Sequence, residues 1–269
     1  MKKKLLIAII CLSSTGLATE VAQADPMTGP NQNDSDWRFT GAVYAFAPFR
    51  TTGTTTVSGV SAPIDLDLGE VLDNLDFAAS GRFEAWKGDW GVIFDANYYS
   101  ISADGSLPGP AGGSVDVNVR QEWLGVLAAY RIANGTYGTS GKRYTVDVQA
   151  GYRYNSLRQE VDIATPGPAT TLGGDDSWWE PVIGARGKWE LNNQWATVAS
   201  LEFGGFGAGG NDLQVGLNAG FDYHPWDNTS IIFGYRYFSM DYSTTLESGA
   251  FAYDVEQHGP YIGVKYVFQ

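Results

Sequence analysis

Cysteine is almost missing from this chain. Among 269 residues there is one, Cys11, beside three methionines. A single thiol forms no intrachain disulfide and builds no Cys-rich zinc site. Histidine is equally scarce, with two, His224 and His258, so no imidazole cluster with metal-ligand spacing exists. Cations are in deficit, 17 Lys+Arg against 30 Asp+Glu. Nucleic acid is therefore not an expected partner, because its phosphates demand a basic surface. Beyond the N-terminus no apolar run approaches the ~20 residues of a membrane helix. An amphipathic helix of ordinary length is missing too.

What is present is aromatic and glycine-rich: 9 Trp, 15 Tyr, 13 Phe and 34 Gly. The N-terminus has its own logic. Lys2, Lys3 and Lys4 precede the apolar run Leu5 to Leu12, and Ala22-Gln23-Ala24 supplies a small-x-small site. This pattern predicts a secretory signal peptide over residues 1–24, cleaved before Asp25. Ile10 stands before Cys11 where a lipidation site needs a small residue, so no lipid anchor is expected. Cleavage removes Lys2, Lys3, Lys4, Glu20 and the only cysteine, leaving an exported, more acidic, disulfide-free domain over 25–269.

That domain alternates with period 2 throughout. In residues 213–224, Leu213, Val215, Leu217, Ala219, Phe221 and Tyr223 share one face; Gln214, Gly216, Asn218, Gly220, Asp222 and His224 share the other. Residues 144–155 repeat the pattern, as do Trp90, Val92, Phe94, Ala96 and Tyr98 against Asp95 and Asn97. Ten strands are predicted, near 36–48, 76–87, 90–103, 114–132, 143–162, 178–191, 195–207, 213–224, 229–243 and 251–268. Eight or twelve are the alternatives. Short turns ("KGD", "NNQ", "PWDN") alternate with longer Gly/Pro/Thr/Ser/Asp-rich loops at 49–75, 104–113, 163–177, 208–212 and 244–250. The connection 133–142 is longer than its class should be. Short turns on one side and long loops on the other predict an all-β, closed, antiparallel up-and-down transmembrane barrel. Closure is required because lipid cannot satisfy a sheet edge. A soluble β-sandwich or lipocalin-like barrel competes with this reading. Bulky aromatics near strand ends favour the membrane: Trp37, Trp86, Trp90, Tyr144, Trp178, Trp179, Trp189, Trp195, Trp226 and Tyr261 fit interfacial girdles.

The chain ends with Ile262, Val264, Tyr266 and Phe268 at alternate positions, followed by Gln269. This strand is similar to the assembly signal of Gram-negative outer-membrane β-barrel proteins, and with "LEFGGFGAGG", "GYRYFSMDY" and "GPYIGVKYVF" the whole mature chain resembles that class, in a group mostly without an assigned activity. The resemblance implies residence in the bacterial outer membrane and contact with its lipid and lipopolysaccharide. It also implies recognition of the last strand by the barrel-assembly machinery. It implies little about activity.

The charged residues of the polar phase are expected to line the lumen: Arg38, Arg82, Glu84, Asp95, Arg120, Glu122, Asp147, Arg153, Glu180, Arg186, Lys188, Glu190, Glu202, Asp222, Arg236, Asp254, Glu256 and Lys265. In a narrow barrel such charges are tolerable when they pair. Arg82, Arg153 and Arg236 are expected to pair with carboxylates such as Glu84, Asp147 and Glu202. Two outcomes stay open, a narrow solute path and a plugged lumen, and barrel size favours the plug. Asp254, Glu256 and His258 run out of phase with Lys265, which suggests a β-bulge at Gly259-Pro260.

Catalytic patterns are thin. Asp222-x-His224 resembles the Asp-x-His pair of the omptin proteases, whose site lies at the outer rim. Here the "PWDN" turn puts His224 at the periplasmic end, far from Asp65 and Asp67, so no catalytic pair is expected. Gly205-x-Gly207-x-x-Gly210 is formally a dinucleotide fingerprint, but a strand and not a helix follows it. Asp65, Asp67, Glu70, Asp73 and Asp76 lack EF-hand spacing, so no metal site is expected. Leu68, Val71, Leu72 and Leu75 beside them predict a short helix capping the mouth. No cofactor is implied. The reading is a structural or narrow-channel barrel without an enzymatic centre. The alternatives are an adhesion or ligand-binding barrel using loops 49–75, 104–113 and 163–177 with Trp178-Trp179, and an outer-membrane hydrolase.

Overall fold

The computed structural model describes residues 36–107 and 112–268. The expected signal peptide and Gln269 lie outside the described residues. The first elements are β1 (Arg38–Phe46), β2 (Arg50–Val57), β3 (Val60–Asp67), α1 (Leu68–Asn74), β4 (Leu75–Lys87) and β5 (Trp90–Ser106). There follow β6 (Ser114–Tyr137), β7 (Lys142–Ala164), β8 (Thr170–Glu190), β9 (Trp195–Ala208), β10 (Asn211–Tyr223), β11 (Thr229–Leu246) and β12 (Gly249–Phe268). All pairings are antiparallel. The ring runs β1-β4-β5-β6-β7-β8-β9-β10-β11-β12 and closes by β1 on β12, with Val43 opposite Val264. The barrel thus has ten strands, and β2–β3 form a hairpin outside the ring. No described helix is long and apolar enough to cross a membrane; the strands do the crossing.

The outward face explains why the ring forms. Val43, Phe83, Phe94, Leu124, Val126, Ile183, Leu217, Ile262 and Val264 are large, apolar and exposed on it. Aromatic pairs flank this band. At the periplasmic end lie Trp37–Phe39, Trp90–Tyr130 and Trp195–Tyr223, with ring centroids 6.1, 4.7 and 4.6 Å apart. At the outer end lie Tyr154–Trp179 at 5.3 Å and Phe77–Tyr98 at 5.8 Å. An apolar belt between two aromatic rings is the exterior a bilayer demands.

Several sequence expectations are corrected. Segment 49–75 is not an irregular loop. A two-residue turn, Ser58 (φ 51°) and Gly59 (φ 81°), joins β2 to β3, both residues taking the left-handed conformation that such a hairpin needs. Helix α1 follows, as the leucine spacing predicts. Asp67 caps it and accepts from the Glu70 amide, while the Glu70 side chain accepts from the Asp67 amide. Segment 133–142 is not a long connection, because β6 and β7 continue to Tyr137 and Lys142. The Gly259-Pro260 bulge is not there. β12 pairs with β11 in unbroken register from Tyr266 to Gly249. Pro260 needs no bulge, because on its other side the ring strand itself breaks at Ala47–Phe49, between β1 and β2.

The missing bulge reverses a phase assignment. Asp254, Glu256 and His258 share the outward parity of Ile262 and Val264, while Val255 and Gln257 are buried inside. Arg120 and Glu122 are corrected likewise. They alternate with Gln121 and Trp123, which are buried in the lumen, and share parity with the exposed Leu124 and Val126. Neither belongs to the lumen network. The physical reason is strand length. β6 has 24 residues and β12 has 20, against the ~9–11 that cross a bilayer. Above the membrane the outward face meets water and becomes charged.

Candidate functional site

The lumen is filled in layers. At the periplasmic end Asp222 accepts from Lys188 at 3.0 Å and also from Lys265. Arg143 donates to Glu190 at 2.9 Å. On the opposite wall the Arg131 guanidinium lies 4.9 Å from the Trp86 ring centre. Above this runs a continuous chain of alternating charge. Arg82 donates to Asp95 and to Glu84, each at 2.9 Å, and to Gln149 at 3.1 Å. Glu84 accepts from Arg186 at 2.5 and 3.0 Å. Arg186 also donates to Asp147 at 3.0 Å, and Asp147 accepts from Arg131 at 3.0 Å. Higher still, Arg153 pairs with Glu202 and, at 3.5 Å, with Glu180. Glu180 also accepts from Trp178 Nε1 at 3.2 Å and Asn211 at 2.5 Å. Such pairs barely repay their desolvation, but each fixes its neighbour's rotamer, and breaking one strands a buried charge.

Most of the anticipated lumen residues thus meet one another: Arg82, Glu84, Asp95, Asp147, Arg153, Arg186, Glu202, Asp222 and Lys265. Arg236 faces inward but does not pair as anticipated. It forms no ion pair among the described residues. Its guanidinium carbon lies 5.4 to 5.7 Å from the ring centres of Trp123, Phe46 and Phe238, a cation held on aromatic faces.

Sequence reasoning missed the outer half of the lumen. Trp123, Leu157 and Trp178 from β6–β8 pack there against Phe238, Met240, Tyr242, Phe251, Tyr253 and Val255 from β11–β12. Trp178 stacks on Tyr242 with centroids 3.8 Å apart and planes at 11°; Trp123 stacks on Phe238 at 5.5 Å and 14°. Tyr242 also donates its hydroxyl to Asp176 at 2.5 Å. Two walls of the barrel thus close face to face over an apolar core, as in a β-sandwich. Trp86, Trp178 and Tyr261 are accordingly not girdle residues. Trp86 and Trp178 are buried inside, and Tyr261 lines an inner cavity.

The β2–β3 hairpin fastens the top. Ser58 Oγ accepts from the Gly173 amide at 2.9 Å, the Gly59 amide donates to Ala250 O at 2.9 Å, and Thr55 bonds Gln159 across the mouth. Arg50 grips Asp65 through two bonds of 3.0 Å. The Arg50 hydrogen bond holds the exposed Asp65 carboxyl below its ordinary pKa.

The catalytic candidates do not assemble. His224 Nδ1 lies 4.0 Å from Asp222 Oδ1 without a hydrogen bond, while Lys188 and Lys265 occupy the other oxygen. No group of three or more His, Cys, Asp or Glu residues suited to a metal occurs among the described residues. The glycines at 205–210 make a tight β9–β10 connection with positive φ, not a phosphate loop before a helix.

A closed ring with a lipid-suited belt, two aromatic rims and an interior packed with ion pairs below and apolar side chains above defines an outer-membrane β-barrel protein. No family model matches the chain, and no curated protein sequence matches it. Solved structures similar to it are outer-membrane proteins of Gram-negative bacteria. Ail, the attachment invasion locus protein of Yersinia pestis, is 10% identical with a TM-score of 0.36, over 86% of this chain and 99% of that one. The outer membrane protease OmpT of Escherichia coli is 11% identical with a TM-score of 0.47, over 86% and 97%. The outer membrane protein OprG of Pseudomonas aeruginosa is 13% identical with a TM-score of 0.37, over 87% and 96%. Their names span different roles, and at these identities no enzymatic role transfers to this chain.

Proposed function

We propose that this protein is a sealed, structural outer-membrane barrel without an enzymatic centre. The observation that carries this reading is the apolar core of the outer half, with Trp178 on Tyr242 and Trp123 on Phe238 standing across the path a solute would take. The charge chain below it supports the same reading, because most of its donors and acceptors are spent on one another. The narrow-channel form of the reading is therefore set aside. Residues 1–24 are removed on export, lipid and lipopolysaccharide surround the belt, and the assembly machinery reads Ile262, Val264, Tyr266 and Phe268. The test is conductance in planar bilayers. Wild-type protein should be silent, and a Trp178→Ala/Tyr242→Ala variant should show small, flickering openings. Steady porin-like currents from the wild type would refute the seal.

One observation favours surface attachment as a second reading. β3 pairs only with β2 among the described residues, which leaves an outer sheet edge of the kind that accepts a partner strand. Pro63 lies in that strand and limits its length. Deleting residues 50–67 should abolish any ligand binding by whole cells under this reading, and should leave it unchanged under the first.

A further inference from the structure

Between the charge chain and the aromatic seal lies a cavity of about 160 Å³. Four arginines reach its wall: Arg82, Arg153, Arg186 and Arg236. Two carboxylates, Asp95 and Glu202, do so as well. Arg82 and Arg186 spend most of their donors on Glu84, Asp95, Asp147 and Gln149. Arg153 spends its terminal nitrogens on Glu180 and Glu202, whereas Arg236 makes no such bond among the described residues. Arg153 is 5% exposed, yet its Nε has no hydrogen-bond partner among the described residues. Arg236 Nε has none either, and no hydrogen bond reaches its other nitrogens from the described residues. Arg236 is half-buried with its Nε fully enclosed; an enclosed donor without an acceptor is costly, and beside a cavity it is free to meet whatever occupies it.

We infer that this cavity binds a small monocarboxylate, of about two or three carbons, through Arg236. The guanidinium is a planar fork that matches two carboxylate oxygens. Its position over the Trp123 and Phe238 rings, 5.4 and 5.7 Å from their centres, restrains it at the cavity wall. Ser200 and Asn218 offer further polar groups, and Val198 and Ile232 offer apolar wall for a short alkyl end. Asp95 and Glu202 set the charge limit. Arg82, Arg153 and Arg186 are already paired with carboxylates, so Arg236 is the wall cation left without an ion pair among the described residues, and one spare positive charge suits one negative charge. The layer toward the periplasm is cationic in balance, since Lys188 and Lys265 share the single carboxylate Asp222. That arrangement favours anions on the approach from that side.

The experiment follows thermal unfolding of the full-length, detergent-folded protein in sodium acetate, sodium propionate, sodium chloride and sodium sulfate at matched ionic strength. Acetate and propionate should raise the unfolding temperature saturably, by about 3–5 °C once roughly tenfold above the dissociation constant. Chloride should give only charge screening, and sulfate only the non-saturating stabilisation of an excluded anion. Arg236→Gln should lose the carboxylate response. Gly216→Val narrows the cavity and leaves the Arg236 side chain in place: Gly216 lines it, and a Cβ there meets nothing closer than Glu202 Cβ at 3.8 Å. This variant should also lose the response, and it decides the matter should Arg236→Gln fail to fold. Equal shifts in all four salts, or a full carboxylate response in Gly216→Val, would overturn the assignment.

Discussion

Glu84 is the node of the lumen ladder, and its removal tests whether that ladder supports the barrel. The carboxylate accepts from Arg82 at 2.9 Å, from Arg186 at 2.5 and 3.0 Å, and from the Trp86 indole at 2.9 Å. Its side chain is 12% exposed. Glu84→Ala removes one charge and four contacts at once. Arg82 keeps Asp95 and Gln149, and Arg186 keeps Asp147, so neither guanidinium is wholly abandoned. Removing one partner of a buried pair costs roughly 3–5 kcal/mol, and the surviving partners put this case at the lower end, about 3 kcal/mol. Glu84→Gln keeps the shape and one acceptor and should cost about 1–2 kcal/mol. The control is Glu122→Ala. Glu122 points outward above the membrane and should change stability by no more than about 0.5 kcal/mol. Adding Arg186→Ala to Glu84→Ala should cost less than the sum of the two single changes, by about 1–3 kcal/mol, because each partner alone is the liability. The assay is urea unfolding of vesicle-inserted protein followed by tryptophan fluorescence. If Glu84→Ala and Glu122→Ala unfold at the same urea concentration, the ladder is ornamental to stability and the parity assigned to β6 is suspect.

The remaining expectations concern the belt, the hairpin and the closing strand. Val264 lies between Val43 and Ile231 on the lipid face, four residues or about 10 Å of height from Phe268 given the strand rise and tilt. Val264→Arg should therefore cost about 2–4 kcal/mol in vesicle unfolding, and wild-type stability would put this face elsewhere. Phe268→Ala should lower the folded fraction recovered in outer membranes, where Phe268 packs 6.3 Å from Phe83 and so ties the closing strand to β4; equal recovery would deny it an assembly role. The Asp65 carboxyl titrates below its unfolded value because of Arg50. The contribution of that pair is thus full above about pH 4 and lost as pH falls through the lower folded value. Proteolysis or hydrogen exchange of β2–β3 should quicken in Asp65→Asn at pH 7 and match the wild type at pH 2, and an equal difference at both pH values would sink the assignment.

The ring was legible because each crossing strand keeps strict alternation where lipid and lumen are its two solvents. Val92, Phe94 and Ala96 against Asp95 and Asn97 leave no other arrangement. Helix α1 was legible for a local reason, the leucine spacing after the Asp67 cap. What was not legible lies above the bilayer. There the outward solvent changes from lipid to water while the strand continues, so a charged residue reports depth as readily as face. Arg120 and Glu122 read as lumen residues by polarity, yet parity with Leu124 and Val126 puts them outside. Asp254 and Glu256 require a bulge only if charge means inside; parity carried from Ile262 needs none. Trp178 and Trp179 make the same point in reverse. Adjacent strand residues face opposite ways, so only one of the two indoles meets lipid, and the other was available for the interior. The length of β6, β11 and β12 was the signal for that interior. Strands of 24, 18 and 20 residues exceed what the membrane uses, and the excess must bury something. The inward residues Met240, Tyr242, Tyr253 and Val255 are apolar where a water-filled mouth would have polar ones. Polarity fixes a strand's face only within one solvent layer, whereas parity followed along the whole strand fixes it everywhere, and the point where the two disagree marks the membrane's edge.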